Sequence, residues 1–218
     1  MRTAAKLLLL GLTIIFTACQ KEVDSVTSNN SSGNGGTSGG TGSTNSTSNI
    51  EGDYDFVGMS AHTQSAITVS AQGSEVKAVT TSDYVTKNNT GTVKITADQL
   101  ISTNLGYSID TTVNVKTYLD NVLFDDSDVP YAGAAPATSN ASPYVRNSTD
   151  SITVTGFVGI PSDPSGTIPT GPAGLKLAWS GDTLLLKVNT TFTQSVTQSG
   201  VPGTMVASVI GTFRLKKH

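Results

Sequence analysis

The chain has 218 residues, a formal net charge of −3 and only 13% charged residues. Its basic residues form no stripe of the kind that binds nucleic acid. One cysteine and two histidines exclude a disulfide framework and a zinc site built from His and Cys. The many Ser and Thr residues disfavour helix and suit strands, so an all-β fold is expected.

The N-terminus, MRTAAKLLLLGLTIIFTAC, has the layout of a signal peptide. Arg2 and Lys6 precede an apolar run, and the small residues Thr17 and Ala18 follow it. The run holds about ten residues, roughly half of what a membrane-spanning helix needs. The sequence therefore predicts a signal peptide over residues 1–18.

Phe16-Thr17-Ala18-Cys19 resembles the lipobox of bacterial lipoproteins, with Phe16 where those proteins usually carry Leu. The resemblance implies cleavage before Cys19, acylation of Cys19 and a mature protein anchored in the membrane by lipid. Two or three acyl chains make a lasting anchor, whereas one binds only marginally. The lone cysteine is then explained, because the lipid consumes it.

The residues after Cys19, QKEVD, resemble the charged export signal of Bacteroidota-type surface lipoproteins. That resemblance implies an outer-membrane protein that faces the cell exterior. The alternative is that the charges only solvate a linker and the protein faces the periplasm. Residues 27–49 contain only Ser, Thr, Asn and Gly, which offer no apolar surface to bury. We therefore expect residues 19–50 to be a lipidated N-terminus followed by a disordered spacer.

Residues 51–218 are predicted to form one β domain of about eight to ten strands. The last fifty residues predict a meander, because LKLAW, TLLLKVNTTFT and TMVASVIGTFRLKK alternate apolar and polar residues and short turns separate them. Consecutive hairpins favour an antiparallel up-and-down barrel, since closing the sheet removes its edges. A two-sheet sandwich is the alternative, because alternation alone does not distinguish the two.

Four segments break this strand pattern. Two stretches rich in Pro, Gly and small residues are predicted loops, Asp125 to Tyr144 and Pro161 to Gly174. KNNTG near Gly91 is a predicted turn. ADQLIST, Ala97 to Thr103, is the one segment able to form a helical turn.

The opening EGDYDFVGM, the run of hairpins and the closing FRLKK resemble the lipocalin-type barrels of bacterial surface lipoproteins. Lipocalins usually open with Gly-x-Trp, for which this chain has Gly52-Asp53-Tyr54. The resemblance implies that Arg214 packs across Tyr54 and that the barrel holds a small ligand.

The domain carries no catalytic signature. His62 and His218 have no His or Cys at metal spacing, and no Gly-x-Ser-x-Gly elbow is present. We therefore expect a protein that is not an enzyme and needs no cofactor. Asp125, Asp126 and Asp128 gather carboxylates of the kind that Ca²⁺ prefers, with a solvated acidic turn as the plainer alternative.

These features favour a non-catalytic, surface-tethered binding module for a small apolar ligand or a glycan fragment. Trp179, Tyr131 and Tyr144 are the candidate aromatic contacts, with core packing as the alternative for Trp179. The other interpretation is a structural or adhesive envelope lipoprotein, or a partner subunit, without a pocket. A cavity of several hundred Å³ would favour the binding module, and side chains that fill the interior would argue against carriage of a small molecule there. Membrane lipid is the expected partner through Cys19, and nucleic acid is not expected.

Overall fold

The computed structural model describes residues 49–155 and 172–218, and within them every regular element is a strand. The signal peptide and the spacer up to residue 48 lie outside the described residues. In the described ranges, no helix is long and apolar enough to cross a bilayer. The strands, in chain order, are β1 (Gly52–Ala71), β2 (Ser74–Val85), β3 (Lys87–Ile95), β4 (Gln99–Leu119), β5 (Val122–Ser148), β6 (Ser151–Val154), β7 (Ala173–Ser180), β8 (Thr183–Gln198) and β9 (Val201–Lys217).

The nine strands form one antiparallel sheet that closes into a ring. Neighbours in the ring follow chain order, and the last strand, β9, pairs with the first, β1, over fifteen residue pairs. Strands β2 and β3 occupy one position in the wall, because both lie between β1 and β4. A single closed sheet in up-and-down order confirms the predicted all-β barrel and does not have the two separate sheets of a sandwich.

Thr86 joins β2 to β3 along the wall. Its backbone N–H donates to the carbonyl of Met59 at 2.9 Å, and its hydroxyl Oγ1 accepts the Met59 N–H at 2.8 Å. The buried hydroxyl therefore satisfies a backbone donor where the regular ladder stops. The strand position next to β1 therefore stays hydrogen-bonded to β1 where β2 ends and β3 begins.

Three two-residue hairpins lie at one end of the ring, which we call the tip end. Both central residues of each hairpin have positive φ, as a type I′ turn requires: Gln72 and Gly73, Asp120 and Asn121, Ser199 and Gly200. The short turn predicted before the last strand is confirmed at Ser199 and Gly200. The opposite end, the base, carries the turns at residues 96–98, 149–150 and 181–182.

Strands β6 and β7 are much shorter than their neighbours. Strand β6 has four residues and β7 has eight, whereas β5 has 27 and β8 has 16. Strand β5 pairs with β6 only from Tyr144 to Ser148, and the pairing of β7 with β8 ends at Val188. Within the described part, the ring is therefore closed only in its base half. Residues 156–160 of the alternating segment DSITVTGFVGI, and most of the predicted loop from Pro161 to Gly174, lie outside the described residues.

Side chains fill the base half of the ring. The inward faces predicted for the last three strands are confirmed, since Leu175, Leu184 and Leu215 are all fully buried. Ile50 is also fully buried, so the folded part includes at least one residue before position 51. A filled base leaves little room there for a small apolar ligand. The ten largest fully buried side chains are Tyr54, Ile50, Met59, Ile95, Ile152, Leu175, Leu184, Leu215, Val154 and Val209.

The predicted loop from Asp125 to Tyr144 is wrong, because these residues form most of β5 and pair with β4. The segment holds Pro130, Pro136 and Pro143. Proline lacks the N–H that a central strand must donate, but an edge strand tolerates it. On the side away from β4, the Pro143 carbonyl accepts the N–H of Thr155 at 2.9 Å, a contact that needs no donor from the proline.

Two smaller predictions are also wrong. The KNNTG segment is not a turn but a bulged part of β3, where a Cβ on Gly91 would lie 2.5 Å from the carbonyl oxygen of Asn104. Only glycine allows that close approach. ADQLIST forms no helical turn, because a short bend at residues 97–98 leads directly into β4.

Candidate functional site

The three candidate aromatic residues do not converge. Trp179 lies at the base, 37% exposed, with its ring centroid 6.4 Å from that of Tyr54. Tyr144 is buried, and its hydroxyl donates to the carbonyl of Thr96 at 2.7 Å. Tyr131 is half-buried against the core. Packing and one backbone hydrogen bond account for these side chains without a ligand.

Arg214 does not pack across Tyr54 as the lipocalin resemblance implies. Alternation places Arg214 on the outer face, between the inward-facing Phe213 and Leu215. Its guanidinium donates to the hydroxyl of Ser60 at 3.3 Å. Tyr54 faces inward and is fully buried, so the sheet separates the two side chains. Trp179 takes the place beside Tyr54 instead.

The Tyr54 hydroxyl is held in the base core. It donates to the carbonyl of Ile50 at 2.6 Å. Burial raises the pKa of Tyr54 to about 12, and the nearby Tyr144 adds to the rise. Burial likewise raises the pKa of Tyr84 and of Tyr107 above the ordinary tyrosine value. These phenols therefore stay neutral at neutral pH, and that of Tyr54 serves as a structural hydrogen-bond donor.

The three aspartates proposed for a cation are not brought together. Asp126 and Asp128 share one face of β5, where the Asn114 amide donates to both, at 2.8 and 3.0 Å. Asp125 points to the opposite face and accepts a hydrogen bond from Ser127. The Asn114 hydrogen bond, and then Lys116, lower the pKa of Asp126. In residues 49–155 and 172–218, no group of three or more His, Cys, Asp or Glu side chains could hold a metal ion.

The outer face of the ring carries a first hollow, groove A, with a volume of about 540 Å³. Two ion pairs line it: His62 Nδ1 lies 2.8 Å from Asp83 Oδ1, and Lys87 Nζ lies 3.0 Å from Asp110 Oδ2. All four side chains are exposed, so each pair adds at most about 1 kcal/mol to stability. These four side chains therefore contribute little to the stability of the fold, and their polar groups face the solvent in groove A.

A second hollow, groove B, has a volume of about 590 Å³ and lies on the other side of β9. Lys176 and Lys187 stand directly opposite each other in the pairing of β7 with β8. Asn147, Ser151 and Asn189 add amide and hydroxyl groups to the lining. The Ser148 hydroxyl, and then Lys176, lower the pKa of Asp150 just outside the groove. Groove B therefore offers hydrogen-bond donors and two ammonium groups.

Grooves A and B share the residues Ile210, Gly211 and Thr212 of β9, and together we call them the double groove. Ile210 is 53% exposed, so it forms an apolar ridge between the two hollows. Gly211 forms part of the floor of both grooves. A Cβ at this position would lie 3.1 Å from Val188 Cγ1. A ligand lying across the ridge would meet polar groups on both sides and an apolar surface in the middle.

No local sequence pattern predicts the double groove. His62 stands alone in the sequence without a His or Cys at metal spacing, and the outward residues of β7 to β9 have the alternation of an ordinary polar strand face. His62 becomes the direct neighbour of Ile210 only because the ring closes. The outward positions between the predicted core residues identify the side chains that can line a surface site. Which of these side chains lie next to one another depends on the order of the strands in the sheet.

A second exposed feature is an apolar hairpin tip, formed by Val122, Leu123 and Phe124 after the turn between β4 and β5. These three side chains are 69%, 51% and 52% exposed. Asp120, Asp125 and Asp126 flank them in the sequence. Such a cluster at a tip marks an interaction surface more often than isolated exposed apolar residues do.

Comparison with known proteins gives no relative: no family model, no curated protein and no solved structure matches this chain.

We predict that stability falls in alkaline solution because of the buried tyrosines. The folded protein holds the Tyr54 proton more tightly than the unfolded chain does, since its pKa is raised from 10 to about 12. The stabilisation is therefore complete below pH 10 and is lost as the pH rises towards about 12, by roughly 2 kcal/mol for this residue.

Denaturant unfolding across that pH window measures the effect. The Tyr54→Phe variant should lose less free energy of unfolding per pH unit than the native chain does. Tyr118→Phe serves as the matched control and should keep the native slope. Equal slopes for Tyr54→Phe and the native chain would contradict the assignment.

Proposed function

We propose that this protein is a non-catalytic binding module, tethered to the membrane by lipid at Cys19, that binds a glycan fragment in the double groove. The observation that carries the proposal is the pairing of two hollows, each lined by apolar surface with several charged, amide or hydroxyl side chains, across one exposed apolar residue, Ile210. A sugar ring has hydroxyl groups around its edge and C–H groups on its faces. Amide, hydroxyl and charged groups suit the hydroxyls, and aliphatic side chains suit the faces.

The position of the open space, on the outer face of the barrel and not in its interior, favours a glycan over a small apolar ligand. The base of the barrel is filled by large buried side chains such as Met59 and Ile95. The double groove is open to solvent and carries Lys87, Lys176 and Lys187 among its lining residues. An apolar molecule would remove water from these charged groups without hydrogen-bonding to them, whereas a polar one would hydrogen-bond to them.

Groove A supplies hydrogen-bonding groups for a ligand in this proposal. Asp83 is hydrogen-bonded to His62, and Asp110 is paired with the ammonium group of Lys87. Carboxylates held in this way accept hydrogen bonds from ligand hydroxyls and orient them.

The membrane tether of the proposal comes from the lipobox resemblance at Cys19. Acyl chains there, followed by a spacer of Ser, Thr, Asn and Gly up to residue 49, would hold the barrel near an outer-membrane surface while leaving it free to reorient. The QKEVD resemblance places that surface on the cell exterior. A tethered module of this kind collects glycans or attaches to them.

The apolar hairpin tip supports the alternative, a structural or adhesive lipoprotein that docks a partner protein. Three consecutive exposed apolar side chains, Val122 to Phe124, would be buried in such a complex. The two functions use different surfaces, because the tip lies at the end of β5 and the double groove lies over β9.

Glycan binding is tested by screening the purified full chain against immobilised oligosaccharides and measuring the dissociation constant of any that binds. Ile210→Ser should weaken binding about tenfold, because the ridge loses an apolar contact worth on the order of 1.4 kcal/mol. Val206→Ser is the matched control, since Val206 is also an exposed aliphatic residue on the outer face of β9 but lies outside both grooves. Absence of any glycan ligand, or equal weakening by both substitutions, would contradict the double groove as the site.

Lipid attachment is tested separately by labelled palmitate in cells that produce the chain. The native chain should incorporate the label, and Cys19→Ala should lose it and leave the membrane fraction, because Cys19 is the only cysteine. Retained label in Cys19→Ala would refute the anchor without affecting the glycan site.

A further inference from the structure

A row of polar side chains crosses four neighbouring strands on the outer face of the sheet. The strand register places Thr212 of β9 opposite Lys187 of β8, and Lys187 opposite Lys176 of β7. Lys176 in turn stands opposite Ser151 of β6. All four residues line groove B. Since adjacent strands lie about 4.8 Å apart, the row holds two lysine side chains side by side, with a hydroxyl group at each end.

The two lysines form an unfavourable pair, because like charges directly opposite each other destabilise a sheet. Both side chains point outward, since Leu175 and Leu186, which precede them in their strands, are buried. Lys176 Nζ lies 3.5 Å from Asp150 Oδ2, but both side chains of that pair are largely exposed, so the contact is weak. An anion placed between the two ammonium groups would relieve their repulsion.

Groove A, on the other side of Ile210, has a different arrangement of charges. His62 is hydrogen-bonded to Asp83 at 2.8 Å, and Lys87 is paired with Asp110 at 3.0 Å. The charged groups of groove A therefore have partners of their own, and its two carboxylates would repel an anionic group. A ligand that crosses the ridge would place an anionic group in groove B and neutral hydroxyl groups in groove A.

We propose that the glycan fragment bound in the double groove is acidic, and that its carboxylate, sulfate or phosphate group binds between Lys176 and Lys187. This proposal rests on the proposed glycan site and names the class of sugar that the site takes. The anion would accept charge-assisted hydrogen bonds from both ammonium groups. The hydroxyl groups of Thr212 and Ser151, at the two ends of the row, are donors for its remaining oxygen atoms.

A neutral sugar and a long polyanion fit this arrangement less well. A neutral sugar would leave the repulsion between the two lysines in place. A polyanion such as nucleic acid would bring further negative charges against Asp83 and Asp110 in groove A. A short fragment with one anionic group at one end suits both grooves.

Binding of matched oligosaccharides to the full chain in detergent tests the proposal. The probes are uronic-acid, sulfated and phosphorylated oligosaccharides. Each is paired with a neutral counterpart, made by reducing the carboxyl group or by removing the sulfate or phosphate. At least one acidic probe should bind about tenfold more tightly than its neutral counterpart, because hydrogen bonds to charged groups are stronger than those between neutral groups.

Two variants change the charge of the row and of its neighbour in opposite directions. Lys187→Gln should remove most of the preference for the acidic probe, while the neutral probe binds as before because Gln still donates hydrogen bonds. Asp150→Asn should strengthen binding of the acidic probe, since it frees Lys176 from its carboxylate neighbour. Lys94→Gln is the matched control, because Lys94 is an exposed strand lysine outside both grooves, and it should change neither affinity.

The possible failures distinguish this proposal from the glycan site on which it rests. Equal affinity for acidic and neutral probes, or an unchanged preference in Lys187→Gln, would overturn the acidic class and leave the glycan site standing. Equal loss of preference in Lys94→Gln and Lys187→Gln would do the same. Failure of every probe to bind would overturn both. Lys187→Gln should not lower the unfolding temperature, because it removes a like-charge pair, so lost binding in this variant is not a loss of folding.

Discussion

The pairing of the first strand with the last holds this structure together. Strand β1 runs beside β9 from Tyr54 with Lys217 to Val69 with Gly203, and this contact turns a meander of hairpins into a closed ring. Closure brings inward side chains from both ends of the chain, such as Met59 and Phe213, into one core. It also joins the two ends of the sheet, so the outer residues around β9 become a continuous surface. The double groove lies on that surface.

The unequal strand lengths divide the described barrel into two parts with different physical properties. In the base half every strand has two neighbours, and the interior is packed with large apolar side chains. In the tip half, the inward row of β8 is only half-buried, as at Phe192 and Val196. The base supplies stability, while the tip end exposes the apolar hairpin tip. Interaction surfaces are expected where packing demands are weakest.

Alternation in the sequence predicted the last three strands and their inward faces, because a strand buried on one face repeats with period two. It failed at β5, whose prolines and small residues are typical of loops but here pair with β4 as a strand. It failed at Arg214 because a family resemblance implied a contact that the pleat of β9 forbids. The aromatic candidates Trp179, Tyr131 and Tyr144 are accounted for by packing, since aromatic side chains in a small barrel are first of all core residues. The double groove was not predictable from local patterns, because His62 and Ile210 are separated by most of the domain in sequence.

Amide hydrogen exchange of the folded chain is the most direct test of the closed base half, on which the core and the double groove both depend. Amides of β1 from residues 59–63 and of β9 from residues 209–215 should exchange in the slowest class, through global unfolding only. Amides near the tip of β4 and β5, at residues 119–124, should exchange faster. Rapid exchange on both sides of the β1–β9 pairing, with slow exchange elsewhere in the sheet, would show that the ring is open and would contradict the account.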